Sequence, residues 1–134
     1  MTPALLDTDT ISLLHKQHPQ VATNVALYIQ QYGQLSFTEF SYYEYSRGLK
    51  AIRATAQLAR FEQFCLAHRI VTFSHDAAVI AADIWADLRQ RGLLIGEVDI
   101  LIASIALSEG LAVATHNLSH FHRITGLQLV DWTT

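Results

Sequence analysis

A single cysteine, Cys65, stands in the sequence, so no disulfide can form within the chain and no thiolate zinc site can be assembled. It lies in the apolar stretch Phe61 to Leu66, where a buried, inert thiol is expected. Long hydrophobic runs are missing too. The longest, Ile100 to Leu107, is interrupted by Ser104 and falls far short of the roughly 20 residues that span a bilayer, so it reads as a core helix and no membrane contact is expected. The opening Met-Thr-Pro-Ala-Leu-Leu-Asp has no basic segment ahead of an apolar one; no secretory signal is visible, and a cytoplasmic location is expected. Positive charge is scarce as well. With 9 Lys and Arg against 12 Asp and Glu, the formal charge of -3 is unlike that of a protein that coats nucleic acid, yet it is compatible with an enzyme that reaches phosphates through metal. Repeats, linkers and low-complexity segments are also absent.

What is present is apolar and regular. A chain of 134 residues has room for one domain, taken here as residues 1–134. Its hydrophobic fraction of 51% is high for that size, so part of the surface is expected to be covered by a partner. Short β-compatible runs occur at Leu5-Leu6, Arg69 to Phe73, Leu111 to Thr115 and Leu127 to Val130, with a fifth, weaker one at Gln34 to Phe37. Apolar residues at helical spacing occupy Val21 to Gln31, Phe37 to Leu49, Ala51 to His68, Asp76 to Arg91 and Glu97 to Ser108. Strands alternating with long helices imply an α/β fold, a central parallel sheet flanked by helices on both faces, because parallel strands need long crossovers.

In such sheets ligands bind beyond the carboxyl ends of the strands. Asp7 closes the first strand and Asn117 follows the fourth by two residues, so both should open onto that edge. A capping or turn aspartate is the lesser alternative for Asp7, whereas Asp9 suits the N-cap of the following helix. Glu44 shares a helical stripe with Phe40 and Gly48 and should face inward, where a carboxylate is costly unless paired or bound to metal. Glu39 belongs instead to a capping box, Ser36-Phe37-Thr38-Glu39. Asp99 opens a helix that is apolar nearly all round, although the helix dipole alone would favour an aspartate there. Glu97 should turn away. Separated oxygen ligands of this kind suit magnesium (Mg2+) or manganese (Mn2+), hard cations that activate water for phosphodiester hydrolysis.

Four blocks in order, Leu5-Leu6-Asp7-Thr8-Asp9-Thr10, Glu44-Tyr45-Ser46-Arg47-Gly48, Asp99-Ile100-Leu101-Ile102-Ala103 and Thr115-His116-Asn117 continuing to Phe121, resemble those of the PIN-domain nucleases. Within them the likeness is to the VapC-type ribonuclease toxins of toxin-antitoxin pairs, and Gly126-Leu127 with Asp131-Trp132 extends it to the C-terminus. The resemblance implies a PIN-domain fold and an endoribonuclease in which Asp7, Glu44 and Asp99 bind metal. It also implies an RNA substrate, with tRNA among the candidates, a cognate antitoxin protein that blocks the site, and a homodimer. Asn117 falls where the family often has aspartate; being neutral, it could orient a water or hold Asp7 rather than bind metal.

Other residues are open to two readings. Arg47, Lys50, Arg53 and Arg60 could form a strip for RNA phosphates or a solvated helix face. Tyr42, Tyr43 and Tyr45 are read as packing residues, and Trp85 and Trp132 as structural. His116, His120 and His122 cluster after the fourth strand; as a zinc site they would lack ligands, though His116 or His120 could touch substrate at the rim. A catalytically weak PIN-fold module acting mainly as partner of a DNA-binding antitoxin is the first alternative function. A phosphoacceptor receiver domain is the second, disfavoured because such domains need a late-strand lysine and none follows Lys50.

Overall fold

The computed structural model describes all residues, 1–134. Its elements run β1 (Ala4–Leu6), α1 (Thr8–His15), α2 (Pro19–Tyr32), β2 (Ser36–Thr38), α3 (Glu39–Ala51) and α4 (Thr55–Ala67) in the first half. The second half adds β3 (Arg69–Val71), α5 (His75–Arg91), α6 (Glu97–Glu109), β4 (Ala112–Ala114), α7 (Leu118–Phe121) and β5 (Leu129–Val130). All pairings are parallel, in the order β3-β2-β1-β4-β5, as the alternation of strands and helices requires. No helix is long and apolar enough to cross a membrane.

β1 lies at the centre of the sheet and is buried on both faces. Because successive strand residues point to opposite faces, Ala4 and Leu6 join one core with Val21, Tyr28, Phe37 and Phe61, while Leu5 joins the other with Leu88, Ile102, Ile105 and Val113. The sheet is thus the middle of three layers. Helix α5 starts on a Ser74 hydroxyl that accepts from Ala77 N, and it stops at Gly92, whose left-handed φ of 67° a side chain would disfavour. The loop that follows leads to α6, and so fixes where Asp99 stands.

Four expectations on the boundaries are corrected. Phe37 belongs to β2 rather than to a helix, so the N-cap of α3 is Thr38, accepting from Ser41 N, and Ser36-to-Glu39 is not a capping box. The segment expected as helix from Ala51 breaks at Ile52–Ala54, where Arg53 adopts φ 55°, and α4 begins only at Thr55. Asp9 does not cap α1: the strand ends at Leu6, and Asp7 itself caps the helix by accepting from Thr10 N at 2.8 Å. The short α7 carries too few residues for an apolar stripe and was not anticipated. Cys65 is buried as expected, and burial pushes its thiol up to about 11.

Candidate active site

The strand order reverses beside β1, whose neighbours β2 and β4 lead to opposite sides of the sheet. Such a switch point leaves a crevice at the carboxyl edge. Asp7 sits in its floor, only 3% exposed. One carboxylate oxygen accepts from Thr10 N, and the other from the Thr115 hydroxyl at 2.5 Å. Burial raises its pKa to about 7, although the bonds from Thr115 and Thr10 pull the other way. No lysine or arginine neutralises it: the residue is a buried acid without a counter-cation.

Glu44 reaches the crevice from α3, half-buried, with Oε1 accepting from the Thr8 hydroxyl at 2.6 Å. Asp99 comes from the first turn of α6; burial is the largest cause raising its pKa, and the Glu44 charge adds to it. His120 Nδ1 lies 3.6 Å from Asp99 Oδ2 and 2.9 Å from the Asn117 amide nitrogen. The Asn117 backbone N–H in turn donates to the Thr115 hydroxyl, at 2.9 Å. Asn117 is therefore linked to Asp7 through Thr115 and faces Asp99 through His120.

Asp7, Glu44, Asp99 and Asn117 accordingly share one cavity of about 370 Å³ with Thr8, Asp9, Arg47, Gly96 and His120, and none of its lining is hydrophobic. All four residues singled out from sequence are brought together. Asp9 joins them as a fourth acidic group, exposed in the first turn of α1. Glu97 turns away, as expected, and lines a separate depression with Phe73 and Trp85.

No three carboxylates or imidazoles close on a single point as a preformed cation cage would. The donor set nonetheless fits a hard cation. Its atoms are carboxylate and amide oxygens, its walls are polar, and burial raises the pKa of both Asp7 and Asp99, so that a bound cation would favour their ionised forms. Mg2+ keeps several waters when bound, and waters can span the remaining gaps.

Thr8 and Thr115 orient two of the carboxylates, yet neither hydroxyl was singled out in advance; each stands within a block that also holds an acidic or amide site residue, and that adjacency was the available signal. Among the aromatic residues, Tyr42 and Tyr45 pack on the core as expected, whereas Tyr43 is 56% exposed. Trp132 is buried, but Trp85 lies at the surface and is not the structural residue expected. The basic strip does not form as a unit, because Arg53 leaves the helix; Arg47 alone lines the cavity. Of the histidines, His116 pairs with Asp131 at 3.0 Å, His122 is exposed, and His120 alone enters the site.

Comparison with known proteins gives a coherent set of matches. The model of the family described as PIN domain matches residues 4–127. The chain is 31% identical to VapC ribonuclease Y4jK of Sinorhizobium fredii, with 95% of each covered. It is 35% identical to the tRNA(fMet)-specific endonuclease VapC of Salmonella typhimurium over 83 residues, 62% of this chain and 63% of that one. Among solved structures, DNA-bound VapBC from Salmonella typhimurium contains a chain that superposes with a TM-score of 0.87 at 29% identity, covering 98% of this chain and 99% of that one.

Proposed function

The chain belongs to the PIN-domain family, in its VapC branch, and from that membership we propose that it is a metal-dependent endoribonuclease acting as the toxin of a toxin-antitoxin pair. The observation that carries the reading is the single polar cavity into which Asp7, Glu44 and Asp99 arrive from three distant segments, around a buried acid that lacks a counter-cation.

In this reading Asp7, Glu44 and Asp99 hold Mg2+ or Mn2+. When bound, the cation supplies an activated water and a counter-charge for the scissile phosphate. The chain's own residues make the site ready for it. Thr115 and Thr10 fix both oxygens of Asp7, Thr8 fixes one of Glu44, and Asn117 braces Thr115 while holding His120 toward Asp99. Donors that are already oriented need little reorganisation during reaction. Hydrolysis forms a new P–O bond from water and breaks the ester P–O bond, whose leaving oxygen takes up a proton.

The substrate class proposed is RNA, with tRNA the first class to assay because a relative is named for it. A cognate antitoxin is supported by the solved relatives being VapBC complexes, and by two exposed apolar residues of the α3–α4 hairpin, Ile52 in its turn and Leu66 near the end of α4. A homodimer through the Phe73 and Trp85 face belongs to the same proposal, as does action in the cytoplasm, where the RNA is.

The test is incubation of the purified chain with total RNA, with and without Mg2+ or Mn2+, beside Asp99→Asn. Cleavage that persists in chelator or in the variant would sink the metal mechanism. The neutral Asn117 favours one rival, a weakly catalytic module that binds its antitoxin; that rival expects no cleavage under any metal.

A further inference from the structure

Tyr43 and Arg47 lie one helical turn apart on α3; Arg47 lines the acidic cavity, and Tyr43 stands beside Arg47 on the exposed face of the helix. The Arg47 guanidinium carbon sits 4.9 Å from the centre of the Tyr43 ring, and its terminal nitrogen is 3.9 Å from Glu44 Oε2. Arg47 is the only lysine or arginine among the lining residues, which include four acids. Tyr43 belongs to neither core and is 56% exposed, while its neighbours Tyr42 and Tyr45 pack inward. The pair is thus an ordered, solvent-facing platform that core packing does not account for.

Its chemistry suits one kind of ligand. A phosphate entering a ring of carboxylates needs a cation at the rim as well as any at the floor, and the five N–H donors of a guanidinium leave some for phosphate oxygens beyond the contacts of Arg47 with Tyr43 and Glu44. The open part of the Tyr43 ring offers a stacking surface to a base, which only an unpaired nucleotide can turn toward it. Depth gives the same answer. Asp7 is buried in the floor, so the reacting phosphate must enter the cavity, and a flexible single strand can bend in where a stiff duplex cannot.

We propose that Tyr43 and Arg47 form the seat for an unpaired nucleotide next to the cut bond, Arg47 gripping its phosphate and Tyr43 stacking on its base. The proposal rests on the ribonuclease reading above and assigns to it the two residues that hold the nucleotide.

The experiment measures binding of a labelled single-stranded RNA, and of the same RNA as a duplex, to the full chain with Ca2+ in place of Mg2+. Arg47→Ala and Tyr43→Leu are expected to weaken single-strand binding about 10-fold and, in a separate cleavage assay with Mg2+, to raise KM more than they lower kcat, while Tyr43→Phe stays within about twofold. Mn2+ affinity, followed by its paramagnetic signal, is expected to be unchanged in all three. Equal RNA binding by wild type and variants would overturn the seat, as would duplex bound as tightly as single strand, or Mn2+ affinity falling in step with RNA affinity. A wild-type chain that neither binds nor cuts RNA removes the ribonuclease reading itself, whereas wild-type cutting with unaffected variants removes the seat alone.

Discussion

The Thr8 hydroxyl donates to Glu44 Oε1 at 2.6 Å, tying the first turn of α1 to the middle of α3 across the cavity wall. Residues that orient a metal-binding carboxylate commonly matter about 10- to 100-fold in metal affinity or activity. Thr8→Val keeps the shape and removes the bond, so it is expected to lower Mn2+ affinity and RNA cleavage by about 10-fold. Thr8→Ser should restore most of both. A valine variant with wild-type metal titration would show that Glu44 is held by its own helix rather than by Thr8.

Asp7 makes stability depend on pH in a direction opposite to that of an ion-paired carboxylate. Its pKa is raised by burial from the ordinary 3.8 to about 7, so between those two values folding favours the protonated form where the unfolded chain is ionised. Nothing is lost below the unfolded value. As pH climbs through that window the folded state falls progressively behind, and the loss is complete once pH passes the folded value. Asp7→Asn escapes this loss. In chelator, the melting temperature of the asparagine variant is expected to pull ahead of wild type as pH rises from about 4 to 7 and to hold its lead above that. The same variant should cut no RNA. A constant offset across pH would mean that Asp7 ionises freely in the fold.

The sheet and the acidic residues were legible in the sequence for a physical reason: buried parallel strands are short apolar runs, and a carboxylate on an apolar face stands out. Glu44 and Asp99 were found that way. Less legible was anything set by a hydroxyl or a turn. Thr8 and Thr115 look like ordinary strand-end residues until Glu44 and Asp7 are seen beside them. Arg53 gave no warning that it would take φ 55° and split one helix into two, because no glycine or proline marks the break. Tyr43 and Tyr45 share composition and neighbourhood, yet one faces solvent and the other His15 and Phe61; two residues of helix rotation separate them.

Asn117 occupies a corner of the site where a further carboxylate would join Asp7, Asp9, Glu44 and Asp99. Its side-chain nitrogen sits on His120 Nδ1, and its backbone N–H holds Thr115. Asn117→Asp leaves the backbone bond intact and adds a charged oxygen donor facing the cavity. The Mn2+ concentration for half-maximal cleavage is therefore expected to fall severalfold, with maximal rate unchanged or raised. A rise in the metal requirement would show instead that the amide's grip on His120 outweighs the extra charge.

His15 carries a polar atom that the fold does not satisfy. Its Nε2 is buried without a partner, in a ring of aromatics whose centroids stand 5.5 Å (Tyr45), 5.5 Å (Phe61) and 4.8 Å (Phe64) away. Burial, and then the Arg60 charge, lower its pKa from 6.5. His15→Phe keeps the aromatic contacts and removes the orphaned nitrogen, which should stabilise the fold by about 1 to 3 kcal/mol near neutral pH. The gain should grow in acid. Below the unfolded value the unfolded chain takes up a proton that the folded chain resists, so wild-type stability is lost as pH falls through the folded value, and the variant has no such proton to bind. Denaturant titrations of both proteins from pH 8 to about pH 5 check this. A gap that narrows on acidification would mean that the imidazole is charged in the fold, with Nε2 reaching water or an acceptor.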